Sequence, residues 1–205
     1  MTTKKTTTSR KTSTTKKTTT KPRVSTVAIP DLPANPFAFE VLDAASKQRS
    51  KAKKVQVLER YSHPSIKTLF IWNFDPTVIS VLPHGEVPYG NVSEQGSMNA
   101  TLGQKINDAV GMMEEMGSKS LGSQDQGQTT IRREFQNFYN FVKGGNDTLS
   151  SLRRETMFIN ILEGLHPLEA EIVCLVKDKR LTDKYKIPQD VVEAAYPDIK
   201  WGNRS

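Results

Sequence analysis

The side chains that most often carry out catalysis or bind metals are scarce in this sequence of 205 residues. It contains three histidines and one cysteine. His63 and His166 each precede a proline, His84 precedes a glycine, and no second histidine or cysteine lies three or four residues after any of them, the spacing that a metal site on a helix uses. We therefore interpret the histidines as helix caps or turn residues. Cys174 stands alone in an apolar run, which predicts a buried thiol without a disulfide partner.

Motifs of phosphate and acyl chemistry are also missing. The pair Gly144-Gly145 lacks the downstream Gly-Lys-Ser/Thr of a phosphate-binding loop, so it predicts the end of a helix. No serine-hydrolase elbow and no kinase signature is present. We therefore expect a protein that is not an enzyme, and we expect no cofactor, no metal and no small-molecule substrate.

Positive charge is concentrated at the N-terminus. Residues 1–23 carry a charge of +8 and contain no acid. The eight cations are Lys4, Lys5, Arg10, Lys11, Lys16, Lys17, Lys21 and Arg23. The other 21 of the 29 cations are matched by 22 carboxylates, a net charge of −1. With no large apolar side chain after Met1, this segment is predicted to be a disordered arm, and such an arm gains affinity for nucleic acid by releasing counterions from the phosphates. A solubility tail or a low-complexity leader would have the same composition.

The rest of the chain predicts a mainly α fold. We expect an arm and a Pro-containing linker over residues 1–35, and a compact domain of about seven or eight helices over 36–205, with at most a short extended segment at 78–82. The apolar periodicity and caps predict helices from Asn35-Pro36 to about Gln48, at 50–61, 64–74 and 130–143, from Asn146 or Asp147 to Gly164, after Pro167, and at 188–195. The glycine-rich stretch 91–128 is interpreted as a flexible insertion with one amphipathic helix at Ile106, Val110, Met113 and Met116.

Basic residues recur near the ends of the predicted helices, where backbone N–H groups can also bind phosphate oxygens. The candidate DNA-contacting residues of the domain are Lys51, Lys53, Lys54, Lys143, Gly144, Gly145, Arg153, Arg154, Lys177, Lys179 and Arg180. Lys47, Arg49, Arg132, Arg133, Lys184 and Lys186 lie in the same basic clusters. The alternative is that these residues belong to an ordinary solvated helix face, since the domain as a whole is almost neutral.

The order of short motifs resembles a known DNA-binding domain. Residues 53–61, then 66–70, then an apolar segment ending at Leu82-Pro83 are similar to the opening of the helical DNA-binding domain of phage ATP-dependent DNA ligases. The motifs that are similar to the close of that domain lie at 141–145, 153–155, 177–180 and 194–199. The chain also resembles small uncharacterised proteins of tailed phages.

The resemblance implies a DNA-holding module that contacts duplex phosphates across the minor groove without joining strands. A ligase also needs a nucleophilic lysine in a Lys-x-Asp-Gly motif, which this sequence lacks, and the arm and the insertion have no counterpart in the likeness. We therefore expect a phage-encoded, largely sequence-independent protein that binds double-stranded DNA in the host cytoplasm. The alternative is a virion or assembly component whose arm contacts the genome or an acidic protein partner, such as a phage structural or replication protein. No apolar stretch approaches the roughly 20 residues of a membrane helix, so we expect no membrane partner.

Overall fold

A computed structural model describes residues 1–2, 29–85, 87 and 128–202, and this part of the chain is mainly helical. The predicted fold class is therefore confirmed. The described helices are α1 (Ala38–Ser46), α2 (Lys51–Arg60), α3 (Pro64–Phe74), α4 (Ile131–Glu134), a 3-10 helix (Phe135–Phe141), α5 (Ser151–Gly164), α6 (Pro167–Lys177), α7 (Leu181–Lys184) and α8 (Gln189–Ala195). The cations of the arm, Lys4 to Arg23, lie outside the described residues, as does the insertion up to residue 127.

Three helices begin with a side chain that caps the first turn, and two of these caps are histidines predicted from the sequence. Ser50 Oγ accepts the N–H of Lys53 (3.3 Å) at the start of α2. His63 Nδ1 accepts the N–H of Ser65 (3.2 Å) at the start of α3, and His166 plays the same part for α6. These residues stabilise the first turn of each helix because its N–H groups have no partner within the helix. The interpretation of His63 and His166 as caps is confirmed.

The start of α1 was predicted two residues too early. The helix begins at Ala38 and not at the Asn35-Pro36 pair. The N–H of Phe37 donates to Glu40 Oε2 (2.8 Å), and the N–H of Ala38 donates to Glu169 Oε1 (3.0 Å). The first turn of α1 is therefore stabilised by a carboxylate 131 residues away in the sequence, a contact that no local pattern can indicate.

The single α-helix predicted over 130–143 is wrong, because α4 lasts one turn and a 3-10 helix follows. In a 3-10 helix, residues three apart lie on the same face. Phe135, Phe138 and Phe141 have that spacing; Phe138 and Phe141 are buried and Phe135 is half-buried. Tyr139, which this spacing leaves off the buried face, is 53% exposed. The three-residue spacing of the phenylalanines thus accounts for the tighter helix.

The cap of α5 also differs from the prediction. Asn146 and Asp147 belong to the preceding turn, and Ser150 caps the helix by accepting the N–H of Arg153 (3.4 Å). Leu152, which the predicted apolar trace included, is 75% exposed. The predicted end at Gly164 is confirmed, whereas the short helix α7 has no counterpart among the predictions.

One hydrophobic core joins the described helices, and α3 and α6 contribute much of it. Trp72 of α3 packs against Phe138 with ring centroids 5.4 Å apart, and Phe141 meets Phe158 of α5 edge to face at 5.1 Å. Residues 78–82 are extended and meet the end of the 3-10 helix in one antiparallel bridge, Ser80 to Val142. The helices that carry the candidate cations are therefore fixed to a common core.

Candidate nucleic-acid interface

The side chain of Lys177 is buried and does not belong to the candidate interface. It is fully buried at the C-terminal end of α6. Its Nζ donates to Pro83 O (2.6 Å), Gly85 O (3.2 Å) and Asp178 Oδ1 (2.6 Å). An ammonium group that donates all three hydrogen bonds to protein acceptors cannot also bind a phosphate. Lys177 therefore positions residues 83–85, which corrects its prediction as a DNA contact.

Lys179 and Arg180 end the same helix through their backbone. Lys179 adopts a left-handed conformation with φ of 58°. Its N–H donates to Val176 O (3.0 Å) and the N–H of Arg180 donates to Leu175 O (2.8 Å), the pair of bonds that defines a Schellman cap. Lys179 Nζ donates to Asp75 O (2.6 Å), and burial lowers the pKa of this lysine. Arg180 pairs with Asp183 at 2.8 Å, so both cations already have protein partners.

Arg153 and Arg154 are neighbours in the sequence with different surroundings. Arg154 is half-buried; its Nε donates to Asn140 O and its Nη2 donates to Asn146 O, both at 2.8 Å. It thereby ties α5 to the end of the 3-10 helix. Arg153 is exposed and lines an open groove between these two helices. Arg154 therefore has a clear role in the fold, whereas Arg153 does not.

The turn at residues 143–145 has the structure that its glycines predict. Gly144 has φ of +78°, which favours glycine. A Cβ at Gly145 would lie 1.9 Å from Tyr139 O, so no larger residue fits without a shift of the backbone. Lys143 is exposed and its N–H donates to Ile79 O (2.9 Å). The glycines are thus explained by the turn, and Lys143 remains a candidate contact.

A larger basic surface forms where the turn between α1 and α2 meets the chain after α7. The N–H of Lys186 donates to Ser46 Oγ (3.0 Å), and Lys54 Nζ donates to Lys186 O. These bonds place Lys186 beside the lysines at the start of α2. Lys186 and Lys54 are more than 130 positions apart in the sequence. We define the basic surface by seven cations: Lys47, Arg49, Lys51, Lys53, Lys54, Lys184 and Lys186.

Three carboxylates accompany the basic surface. Lys47 pairs with Asp43 (2.6 Å) and Lys51 pairs with Asp190 (2.7 Å), and Lys184 pairs with Glu171. Three of the seven cations of this surface are thus paired with carboxylates. The side chains of Lys47 and Lys51 are more than half exposed, so their ammonium groups remain accessible to a ligand.

A second charged cluster lies in the interior and serves the fold. Glu169 is fully buried and accepts the N–H of Ala38 (3.0 Å) and the N–H of Ile131 (2.9 Å). Burial raises the pKa of its carboxyl, while the two N–H groups and Arg132 oppose that rise. Burial and the nearby Arg132 lower the pKa of His63. The carboxylate of Glu169 thus joins the starts of α1 and α4 to α6.

Sequence reasoning therefore identified part of the basic surface that the structure assembles. Lys51, Lys53 and Lys54 belong to the basic surface, whereas Lys184 and Lys186 were grouped with the cations at the end of α6. The missing signal is the packing of residue 186 against Ser46. No local pattern reports a contact between residues 140 positions apart.

The comparison with protein-family models gives one result. Residues 41–110 and 115–183 match the model of a family of unknown function, DUF6433. The chain belongs to this family. The DUF6433 match includes the α1–α2 turn of the basic surface but not the cationic arm and not Lys184 or Lys186. Searches of curated proteins and of solved structures found no match to this chain.

The described ranges of this DUF6433 protein also bear on metal binding, membrane insertion and thiol chemistry. Within 1–2, 29–85, 87 and 128–202, no three histidine, cysteine, aspartate or glutamate side chains are grouped so that they could hold a metal ion. In the same ranges, every helix is too short or too polar to cross a membrane. Burial raises the pKa of the Cys174 thiol to about 12, which makes it a poor nucleophile at neutral pH.

Proposed function

We propose that this chain is a non-catalytic protein that binds double-stranded DNA through phosphates, largely without regard to sequence. The observation that carries the proposal is the juxtaposition of Lys186 with the α1–α2 turn. It supports a single surface of seven cations, whereas residues 24–205 as a whole carry a net charge of −1. A segregated positive surface of this kind attracts polyanions.

The lysines of the surface are suited to contacts with a phosphate backbone that do not depend on base sequence. Lysine ammonium groups bind phosphate oxygens as point charges and carry no base information by themselves. Six of the seven cations of the basic surface are lysines. We infer that the basic surface fixes the orientation of the domain on the duplex, while the arm of charge +8 supplies most of the affinity.

The ion pairs on the surface do not oppose this function. The Lys47–Asp43 and Lys51–Asp190 pairs are exposed, and exposed pairs contribute little to stability. A phosphate can therefore draw these lysines from their carboxylates at small cost. Lys177 and Lys179 differ from Lys47 and Lys51, because they donate to backbone carbonyls of distant segments.

A matched pair of double variants tests the proposed surface. Arg49→Gln with Lys186→Gln removes two exposed cations from the basic surface, and Lys143→Gln with Arg153→Gln removes two exposed cations elsewhere. Binding of a 40-base-pair duplex is measured by fluorescence anisotropy at 0.1 M salt. Because each phosphate contact contributes about 0.9 to the log–log salt slope, the first variant is expected to bind about 10- to 60-fold more weakly than the wild type.

The affinity of the control variant is expected to lie within about threefold of the wild-type affinity. Lys143 and Arg153 do not belong to the basic surface, and their electrostatic field is screened within about 10 Å at this salt concentration. Equal losses in both variants would mean that total charge and not the basic surface determines affinity. A larger loss in the control would move the interface to the turn at Lys143 and to α5.

A further inference from the structure

Two ion pairs of the basic surface have a carboxylate that is itself open to solvent. Asp43 Oδ2 lies 2.6 Å from Lys47 Nζ, and Asp190 Oδ2 lies 2.7 Å from Lys51 Nζ. The side chains of Asp43 and Asp190 are 50% and 59% exposed, whereas Glu171, the third carboxylate, is half-buried. A ligand that approaches Lys47 or Lys51 from solvent therefore meets a carboxylate beside the ammonium group.

These two ion pairs add little to the fold. Asp43 and Lys47 are one helical turn apart at the end of α1, and Asp190 lies in the first turn of α8. The hydrogen bond from Lys51 lowers the pKa of the Asp190 carboxyl, so Asp190 is ionised at neutral pH. Exposed pairs of this kind contribute little to stability. Their main effect therefore falls on a ligand that competes for the same lysines.

A phosphate that binds either lysine has two ways to be accommodated. It displaces the carboxylate, which ends the ion pair, or it binds beside the carboxylate as a like charge. In the second case both anions contact one ammonium group, so they are closer together than the Debye length of about 8 Å at physiological salt, and salt screens their repulsion only in part. Either way phosphate binding is weakened. The cost at one pair is small, and the costs of the two pairs add.

We propose that Asp43 and Asp190 are positioning residues that limit the affinity of the basic surface for DNA, because they compete with phosphates for Lys47 and Lys51. The inference rests on the proposed function and specifies what sets the affinity of that same surface. A structural role for the two aspartates predicts that their removal weakens binding or leaves it unchanged. Competition predicts that their removal strengthens it.

The test is a gain of affinity in the full chain. Asp43→Asn with Asp190→Asn keeps the size of both side chains and removes their charge. Binding of a 40-base-pair duplex is measured by fluorescence anisotropy at 0.1 M salt. Each single variant is expected to bind about two- to fivefold more tightly than the wild type, and the double variant about 5- to 30-fold, from the small free energies of exposed ion pairs.

Asp198→Asn provides a matched control. Asp198 pairs with Lys67 at 2.7 Å and is 63% exposed, so it closely matches Asp190 in chemistry and exposure. It lies two residues after Tyr196, whose Oη donates to Leu58 O (2.8 Å). Leu58 is seven residues after the start of α2, which places it about 10 Å along the helix from the basic surface. Because this distance equals about one Debye length at 0.1 M salt, the control is expected to bind within about 1.5-fold of the wild type.

The outcomes separate the inference from the proposed function. Unchanged or weaker binding by Asp43→Asn with Asp190→Asn would overturn the inference. Equal gains from Asp190→Asn and Asp198→Asn would also overturn it, since net charge would then set the affinity. A wild type that does not bind DNA at low salt would instead contradict the proposed function. Urea denaturation checks that every variant is folded, and the single variants decide the test if the double variant is not.

Discussion

Two clusters of cations at helix ends look alike in the sequence and differ in the structure. Residues 177–180 contain three cations within four residues, as do residues 51–54. At the end of α6, Lys177 and Lys179 donate to backbone carbonyls and hold distant segments in place. At the start of α2, Lys51 has an exposed carboxylate partner and a side chain that is 54% exposed. The neighbouring acceptors, and not the basic residues themselves, decide which cluster can bind a ligand.

The difference has an energetic basis. Burial of an ammonium group costs several kcal/mol unless good acceptors replace its water. For Lys177 the acceptors are the carbonyls of Pro83 and Gly85 and the carboxylate of Asp178. Lys47 and Lys51 of the basic surface are more than half exposed and pair with exposed carboxylates, so these pairs add little to stability and their ammonium groups remain accessible to a ligand.

The largest expected effect is on folding, from Lys177→Met. This change removes the buried ammonium group that donates to the carbonyls of Pro83 and Gly85 and to the Asp178 carboxylate, and we expect the free energy of unfolding to fall by about 3–5 kcal/mol. Urea denaturation followed by circular dichroism measures the change. The control Lys186→Gln is expected to shift the same quantity by less than about 0.5 kcal/mol. Similar values for the two variants would erase the distinction between the clusters.

The neighbouring arginines of α5 extend the comparison at a smaller scale. Arg154→Ala removes two hydrogen bonds that a charged group makes to the carbonyls of Asn140 and Asn146, and we expect a loss of about 2 kcal/mol in the free energy of unfolding. Arg153→Ala removes an exposed side chain and is expected to cost less than about 0.5 kcal/mol. Thermal or urea unfolding of both variants under the same conditions measures the difference. A larger loss of unfolding free energy from Arg153→Ala than from Arg154→Ala would show that the contacts of Arg154 are not stabilising.

The buried carboxyl of Glu169 gives a smaller effect whose sign depends on pH. Burial raises the pKa of the Glu169 carboxyl in the folded protein above its ordinary value of 4.5. The protonated form therefore favours folding, and this contribution is complete below pH 4.5 and lost as the pH rises through the raised pKa. Compared with Glu169→Gln, the wild type is expected to lose stability across that window. At neutral pH we expect the variant to be about 1 kcal/mol less stable, because its amide accepts only one of the two N–H groups.

Urea denaturation of the wild type and Glu169→Gln at several pH values above 4.5 measures this difference. Glu40→Gln serves as a control for a carboxylate that accepts a single backbone N–H. A gain in wild-type stability relative to Glu169→Gln as the pH rises would indicate that the two N–H groups and Arg132 outweigh burial.

Local patterns were sufficient for much of the fold. Ser50 and the His63-Pro64 pair marked the starts of α2 and α3, and Gly144-Gly145 marked the turn before α5. The errors arose where long-range packing decides, as at α1, whose first turn depends on Glu169, and at the 3-10 helix, whose phenylalanines face the core.

The candidate site was also predictable only where local sequence patterns report on it. The composition and spacing of residues indicate where cations cluster, and three members of the basic surface, Lys51, Lys53 and Lys54, were chosen on that ground. They do not indicate that Lys177 is buried or that Lys186 packs beside Ser46. Both facts depend on contacts between residues more than 90 positions apart.

The salt dependence of DNA binding tests the central claim most directly. Binding of the wild-type chain to a 40-base-pair duplex of arbitrary sequence, measured from 0.05 to 0.3 M salt, is expected to give a log–log slope of about −7 or steeper, because eight arm cations and the basic surface release counterions together. A second duplex of unrelated sequence is expected to give the same slope. A slope shallower than about −2, or no binding at 0.05 M salt, would contradict a function based on phosphate contacts.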